Sequence, residues 1–243
     1  MQSNTINSNI PFNQIKHALD MQENQTHNNR LSTLHQTTAQ VISAAIKEKH
    51  KEINNLPFIK TLRKGEISAD SYHPFLQSSL MLYQCLENNI RTHQNNTYIY
   101  QYYHIIIDKL ERESAIKEDI QWHEAENAMP TRSTIKYTEY LNTLIEHNPM
   151  LFIVHIHLKY IADLFGGQLI KSKIENYAKK NDLPIPATNI FNFGLPEEIK
   201  AYRNALYQII NTLPVEESDL TLIQQDAEKS MQFFVDIFKE LSQ

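Results

Sequence analysis

HLKYIADLFGGQLIKSKI, residues 157–174, sits inside a stretch whose apolar spacing predicts one long helix, yet it places Gly166 and Gly167 side by side near its middle. The whole chain of 243 residues has only four glycines, at 65, 166, 167 and 194, where average usage of about 7% would give roughly 17. Each glycine in a helix interior costs about 1 kcal/mol relative to alanine. The pair is therefore a local liability unless the backbone must bend or something must approach it closely. A missing side chain makes room for a flat object. It equally suits a close helix–helix crossing, and spacing alone leaves the two readings open.

Working outward, the pattern is helical almost everywhere. Leu220, Ile223, Ala227, Met231, Phe234, Phe238 and Leu241 recur at spacings of three and four, which gives the last segment one apolar face. Pro57 ends a helix over 38–54, the turn at Gly65 precedes a long helix over about 69–93, and Asn95 and Asn96 form a turn. Pro130 and Pro149 open new segments, and residues 181–196 read as a loop before the final two helices. Strand-like alternation is absent. The expectation is an all-α fold of about eight helices in a single domain over residues 31–243, preceded by a mobile tail over 1–30 that is dominated by Asn, Gln, Ser and Thr.

Composition narrows the function. A hydrophobic content of 41% with no apolar run of membrane length argues against a membrane span. A net charge of −5, with basic residues scattered, argues against nucleic acid. The single cysteine, Cys85, excludes an intrachain disulfide and a Cys-rich metal site, and the start lacks a secretion-signal pattern, so a cytoplasmic setting is expected.

Several motifs, in order, carry a resemblance. HLKYIADLFGGQLIKSKI is similar to the signature helix of the haem oxygenase family, which kinks over the distal face of haem; Tyr160, Asp163, Leu164, Gly166, Gly167 and Gln168 match, and Ala162 and Phe165 do not. AAIKEKHKEINNLPFIKTLRKGEI resembles the family's first segment, with His50 at the proximal histidine, Phe58 eight residues later and the Lys64-Gly65 turn after it. LYQCLENNI with Tyr83, RESAIKEDIQW, NPMLFIVH and the late AYR agree as well, so the similarity spans about residues 40–243.

What the resemblance implies is a monooxygenase that uses haem as cofactor and substrate. With O2 and electrons from an external reductase or ferredoxin, it would release biliverdin, CO and ferrous iron. His50 would be the axial iron ligand, and a neutral imidazole is a standard one. Asp163 and Tyr83 would hold the water network that delivers protons, while Ala162, Phe165, Gly166 and Gly167 would line the haem on the signature helix. Lys47 and Arg203 would meet the propionates; two further basic positions of the family fall on Ser43 and Ile199, with Lys200 a substitute for the second, and a pocket tyrosine falls on His157.

Three departures bear on turnover. Ala162 stands where the family has glycine, Phe165 replaces a small polar residue, and Asn54 replaces a glutamate that accepts the ligand histidine's other ring N–H, a role the amide oxygen would take over without charge. Two alternatives follow: a haem-binding or haem-storage protein with turnover reduced or lost, and a non-haem di-iron oxidase of the same general fold. The second wants Glu-x-x-His pairs. The chain offers only Asp119 with His123 and Asp70 with His73, read as isolated surface pairs.

Overall fold

The computed structural model describes residues 36–243, and the expected tail over 1–30 lies outside them. Helix α1 (Thr38–Asn55) starts in a capping box: the Thr37 hydroxyl accepts from the Gln40 backbone N–H at 3.3 Å, and the Gln40 side chain accepts from the Thr37 N–H at 2.9 Å. It stops at Leu56, which is extended because a proline follows. Pro57 does more than end α1. It is the first residue of a short helix, α2 (Pro57–Lys64), a position where a missing N–H costs nothing.

Then follow α3 (Ala69–Thr92), α4 (Thr97–Ile105), which runs into a π-helical turn over Ile106–Leu110, α5 (Glu113–Trp122) and α6 (Arg132–His147). The long α7 (Pro149–Lys180) contains the glycine pair and is helical without interruption across it. A 3-10 turn, Asn189–Phe191, buries Ile190 and Phe191 within the expected loop, and α8 (Pro196–Thr212), a second 3-10 turn (Glu217–Asp219) and α9 (Leu220–Glu240) complete the fold. Nine α-helices are thus present among the described residues, one of them the α2 helix that the sequence pattern merged into a break.

Packing runs around α7. Helix α9 lies along α1 and also against α6 and α7, α3 packs on α5 and α6, and both α2 and α8 touch α1 and α7. Helix α7 is the one described helix long and apolar enough to cross a membrane, contrary to the reading that no such run exists. Its most apolar window is 67% buried inside the fold, as a core helix would be.

Burying α7 on all sides takes polar groups inward with it. His155, fully buried, is 2.7 Å from Asp226 through Nε2 and 2.8 Å from the Tyr137 hydroxyl through Nδ1, while the Tyr140 hydroxyl donates to the other Asp226 oxygen at 2.5 Å. This cluster ties α6, α7 and α9 together through partnered rather than orphaned groups. Burial raises the Asp226 pKa, but the hydrogen bonds and charge of His155 and the Tyr140 hydroxyl outweigh it and leave it below its usual value.

Two outcomes follow from these contacts. Gly65 ends α2 at φ +84, and a Cβ there would fall inside the carbonyl of Lys173 on α7. Gly65→Ala should therefore cost about 3 kcal/mol or more in urea unfolding. For Asp226 the unfolded chain holds its proton more tightly than the folded one, so its contribution is present at neutral pH and is lost as pH falls below about 4. Acid titrations of stability should show Asp226→Asn less stable at pH 7 and less sensitive to acid than the wild type.

Candidate functional site: the open face of helix α7

From Phe152 to Tyr160 every residue of α7 is buried, and then one face opens. Ala162, Phe165, Gly166 and Leu169 share that face by their spacing of three and four; Phe165 is 55% exposed and Leu169 51%. Apolar side chains concentrated on one face of an otherwise buried helix mark a surface built for an apolar occupant. The two glycines divide between the competing readings. A Cβ on Gly166 would meet nothing within 4 Å, whereas one on Gly167 would touch Phe191 of the 3-10 turn at 3.5 Å. Gly167, expected to line the haem, is instead buried against the chain itself, and only Gly166 leaves open room.

Asp163 sits beside this face and is held from two sides. Its Oδ2 accepts from Lys159 Nζ at 2.6 Å and from the hydroxyl of Tyr83, which is fully buried on α3. The Lys159 ammonium also lies 4.5 Å from the Tyr83 ring centroid. Oδ1 of Asp163 has no protein donor among the described residues. Burial, reinforced by the Asp163 charge, pushes the Tyr83 pKa well up, so the phenol keeps its proton and donates.

Behind this pair, Tyr160 meets Tyr83 edge-on at 5.4 Å, and its hydroxyl donates to Glu87 at 3.1 Å. Glu87 is fully buried; its Oε1 also accepts from the Arg112 N–H at 2.7 Å, and desolvation raises its pKa. Lys159 and Glu87 were not singled out in the sequence. For Lys159 a signal existed, since it precedes Asp163 by one helical turn. Glu87 and Tyr160 are 73 residues apart, beyond any local pattern.

The remaining principal candidates lie on α1. His50 is exposed there, with Lys47 exposed one turn before it. The His50 Nδ1 lies 3.2 Å from Asn54 Nδ2, and Asn54 Oδ1 accepts from Arg63 at 3.3 Å; Nε2 has no partner among the described residues. The amide oxygen expected to serve the histidine is turned to Arg63 instead. Helices α2, α8 and α9 each pack on both α1 and α7. From α8, the Arg203 guanidinium lies 4.3 Å from the centroid of the Phe165 ring, so the bulky substitution in the signature forms a shelf for the expected propionate partner.

The remaining expected positions are placed differently. Ser43 and Lys200 are exposed, while Ile199 is buried. His157 is buried 3.4 Å from the Tyr102 hydroxyl and edge-on to Tyr207, and desolvation lowers its pKa to about 3, leaving a neutral imidazole. Asp119 is not a surface group. It is fully buried and accepts from the Asn189 and Ile190 N–H groups at 2.8 Å each, while His123 bonds the Ala187 carbonyl at 3.0 Å.

Among the described residues, the one group of three possible metal ligands is Glu87, Glu111 and Glu113, which contains no histidine. It gives the di-iron reading no support. Cavities of about 870 and 230 Å³ lie elsewhere and include none of the groups on α1 or the open face of α7.

A family model described as "Heme oxygenase" matches residues 36–240. The chain belongs to the haem oxygenase family. It is 25% identical over 229 residues to haem oxygenase 1 of Gallus gallus, covering 91% of this chain and 74% of that protein. It is 23% identical over 202 residues to haem oxygenase 1 of Synechocystis sp., covering 80% of each. Two solved haem oxygenases share the fold. The haem complex of the Synechocystis sp. PCC6803 enzyme superposes with a TM-score of 0.74 at 21% identity, over 85% of this chain and 92% of that one. The Leptospira interrogans enzyme does so with 0.75 at 23% identity, over 84% and 100%.

The residues present fit the family's ligand. His50 offers an unpartnered ring nitrogen, Gly166 offers open space, Asp163 keeps one carboxylate oxygen available, and Lys47 and Arg203 add positive charge. Filling the open space should separate stability from binding. Gly166→Ala should stabilise the ligand-free protein by about 0.5–1 kcal/mol while weakening haemin binding about tenfold or more. Urea unfolding and haemin titration, run side by side, measure the two effects.

Proposed function

We propose that this haem oxygenase binds haem between α1 and α7 and cleaves it to biliverdin, CO and ferrous iron, using O2 and electrons from an external reductase or ferredoxin. The observation that carries the reading is the half-anchored carboxylate of Asp163: one oxygen is fixed by Tyr83 and Lys159, the other is available, and Gly166 opens the same helix one turn on. Bound haem supplies both the iron at which O2 is reduced and the ring that is cut.

The rest of the task falls to the chain. His50 supplies a nitrogen ligand through Nε2. Asp163 Oδ1 accepts a hydrogen bond from water and orders it, so that protons reach the reacting oxygen from a fixed direction. Tyr83 keeps its own proton and holds Asp163 in place, as does Lys159. Arg203 and Lys47 attract the propionates.

The reading of a haem binder with little turnover draws on Ala162, whose exposed methyl stands on the Gly166 face where an ordered water would otherwise sit. Haemin titration followed by single-turnover assays with one reductant tests both readings. Wild type should bind one haemin with a sharp Soret band and yield bilin. Asp163→Ala should bind equally well but react about 10²-fold more slowly, and Ala162→Gly should raise the bilin yield per haem. An absence of saturable binding would remove both readings. Haemin binding without bilin formation, in wild type and Ala162→Gly alike, would leave only the binder.

A further inference from the structure

The contact between His50, Asn54 and Arg63 fixes the position of a proton. A guanidinium has donors only, so the Asn54 atom 3.3 Å from Arg63 must be the carbonyl oxygen. The other end of the amide, Nδ2, is also a donor only, and it lies 3.2 Å from His50 Nδ1. Nδ1 must then accept, which requires a bare lone pair there. In a neutral imidazole with Nδ1 bare, the proton is on Nε2. That is the nitrogen required as the iron ligand, and a protonated nitrogen has no lone pair to give.

We infer that Arg63 is a positioning residue which, through the Asn54 amide, holds His50 in the tautomer that cannot ligate haem, so that haem binding requires the amide to turn over and Arg63 to let go. The inference rests on His50 being the axial ligand. For Nε2 to bind iron, its proton leaves to solvent and one is taken up at Nδ1, with no net change, and the exposure of His50 allows both. The new Nδ1–H would then face the amide N–H group, donor against donor. Rotating the amide brings Oδ1 to Nδ1–H, but it also turns Nδ2 towards the donors of Arg63, and that bond is lost. A carboxylate at position 54 would accept from His50 and Arg63 together and would impose no such exchange. The coupling is thus specific to the asparagine that this chain carries.

No other partner of Arg63 is present among the described residues, so the hold rests on this one bond. Its loss should change haemin affinity by about fivefold to tenfold, as expected for a single hydrogen bond. Two-bond 15N–1H NMR of the haem-free protein reads the tautomer directly. Wild type should show His50 with the proton on Nε2, and Arg63→Met should shift population towards Nδ1–H and tighten haemin binding about fivefold. Lys60→Met, which removes an exposed charge from the same helix, should leave both unchanged. Asn54→Glu should tighten haemin binding too, and in that background Arg63→Met should bring no further gain.

An Nδ1–H tautomer in wild type, or unchanged or weaker haemin binding in Arg63→Met, would overturn the inference. The underlying assignment is read separately: if His50→Ala keeps a histidine-ligated haem spectrum, the axial ligand lies elsewhere and the inference falls with it, whatever the tautomer.

Discussion

One helix has to be both the centre of the core and the wall of the site. Between Phe152 and Tyr160, α7 is buried all round, with contacts from α3, α4, α6, α8 and α9, which leaves no solvent to serve its polar side chains. Each polar group carried inward then needs a partner from another helix. His155 finds Asp226 and Tyr137, His157 finds Tyr102, and Tyr160 finds Glu87. These pairings fix the rotation of α7 about its own axis, and hence which residues face outward once the helix leaves the core.

The candidate chemistry lies at that exit. Lys159 is the last charged residue inside and Asp163 the first outside it, one turn apart, so the carboxylate is anchored by the core through one oxygen while the other stays free. A carboxylate on a loop would lack this rigidity, and one deeper in the helix would have no access to water. The same exit explains the glycine pair. Neighbours in sequence are about 100° apart around a helix, so Gly167 turns inward to Phe191 while Gly166 turns to the open side.

The departures from the family pattern have different consequences in three dimensions. Phe165 lies outside the core under the Arg203 guanidinium, which gives its bulk a stacking role at the rim. Ala162 remains on the open face, where its methyl takes up space. Asn54 changes most, because its oxygen is already taken by Arg63 and its nitrogen faces the histidine. An amide has one accepting and one donating end, whereas a carboxylate accepts with both, and a substitution that keeps shape can therefore reverse the direction of a hydrogen bond.

The sequence by itself determined most of the helices, several of their ends and the family, while it missed the short α2. Capping residues, prolines and the three-to-four spacing act within a few residues of where they are read, which is why the helix expected over 69–93 is observed over Ala69–Thr92. It also identified Asp163, Tyr83 and His50 as the groups to watch, and the structure joins the first two directly. Only the tertiary structure decided which glycine is open, that Asp119 is buried as an acceptor for the 3-10 turn, that Glu87 belongs to the polar network behind Asp163, and which way the Asn54 amide faces. Each of these depends on a partner brought in by packing, 73 residues away for Tyr160 and Glu87 and nine even for Arg63 and Asn54. Periodicity records how a residue is turned on its own helix, whereas the donor or acceptor it meets is set by the helix packed against it.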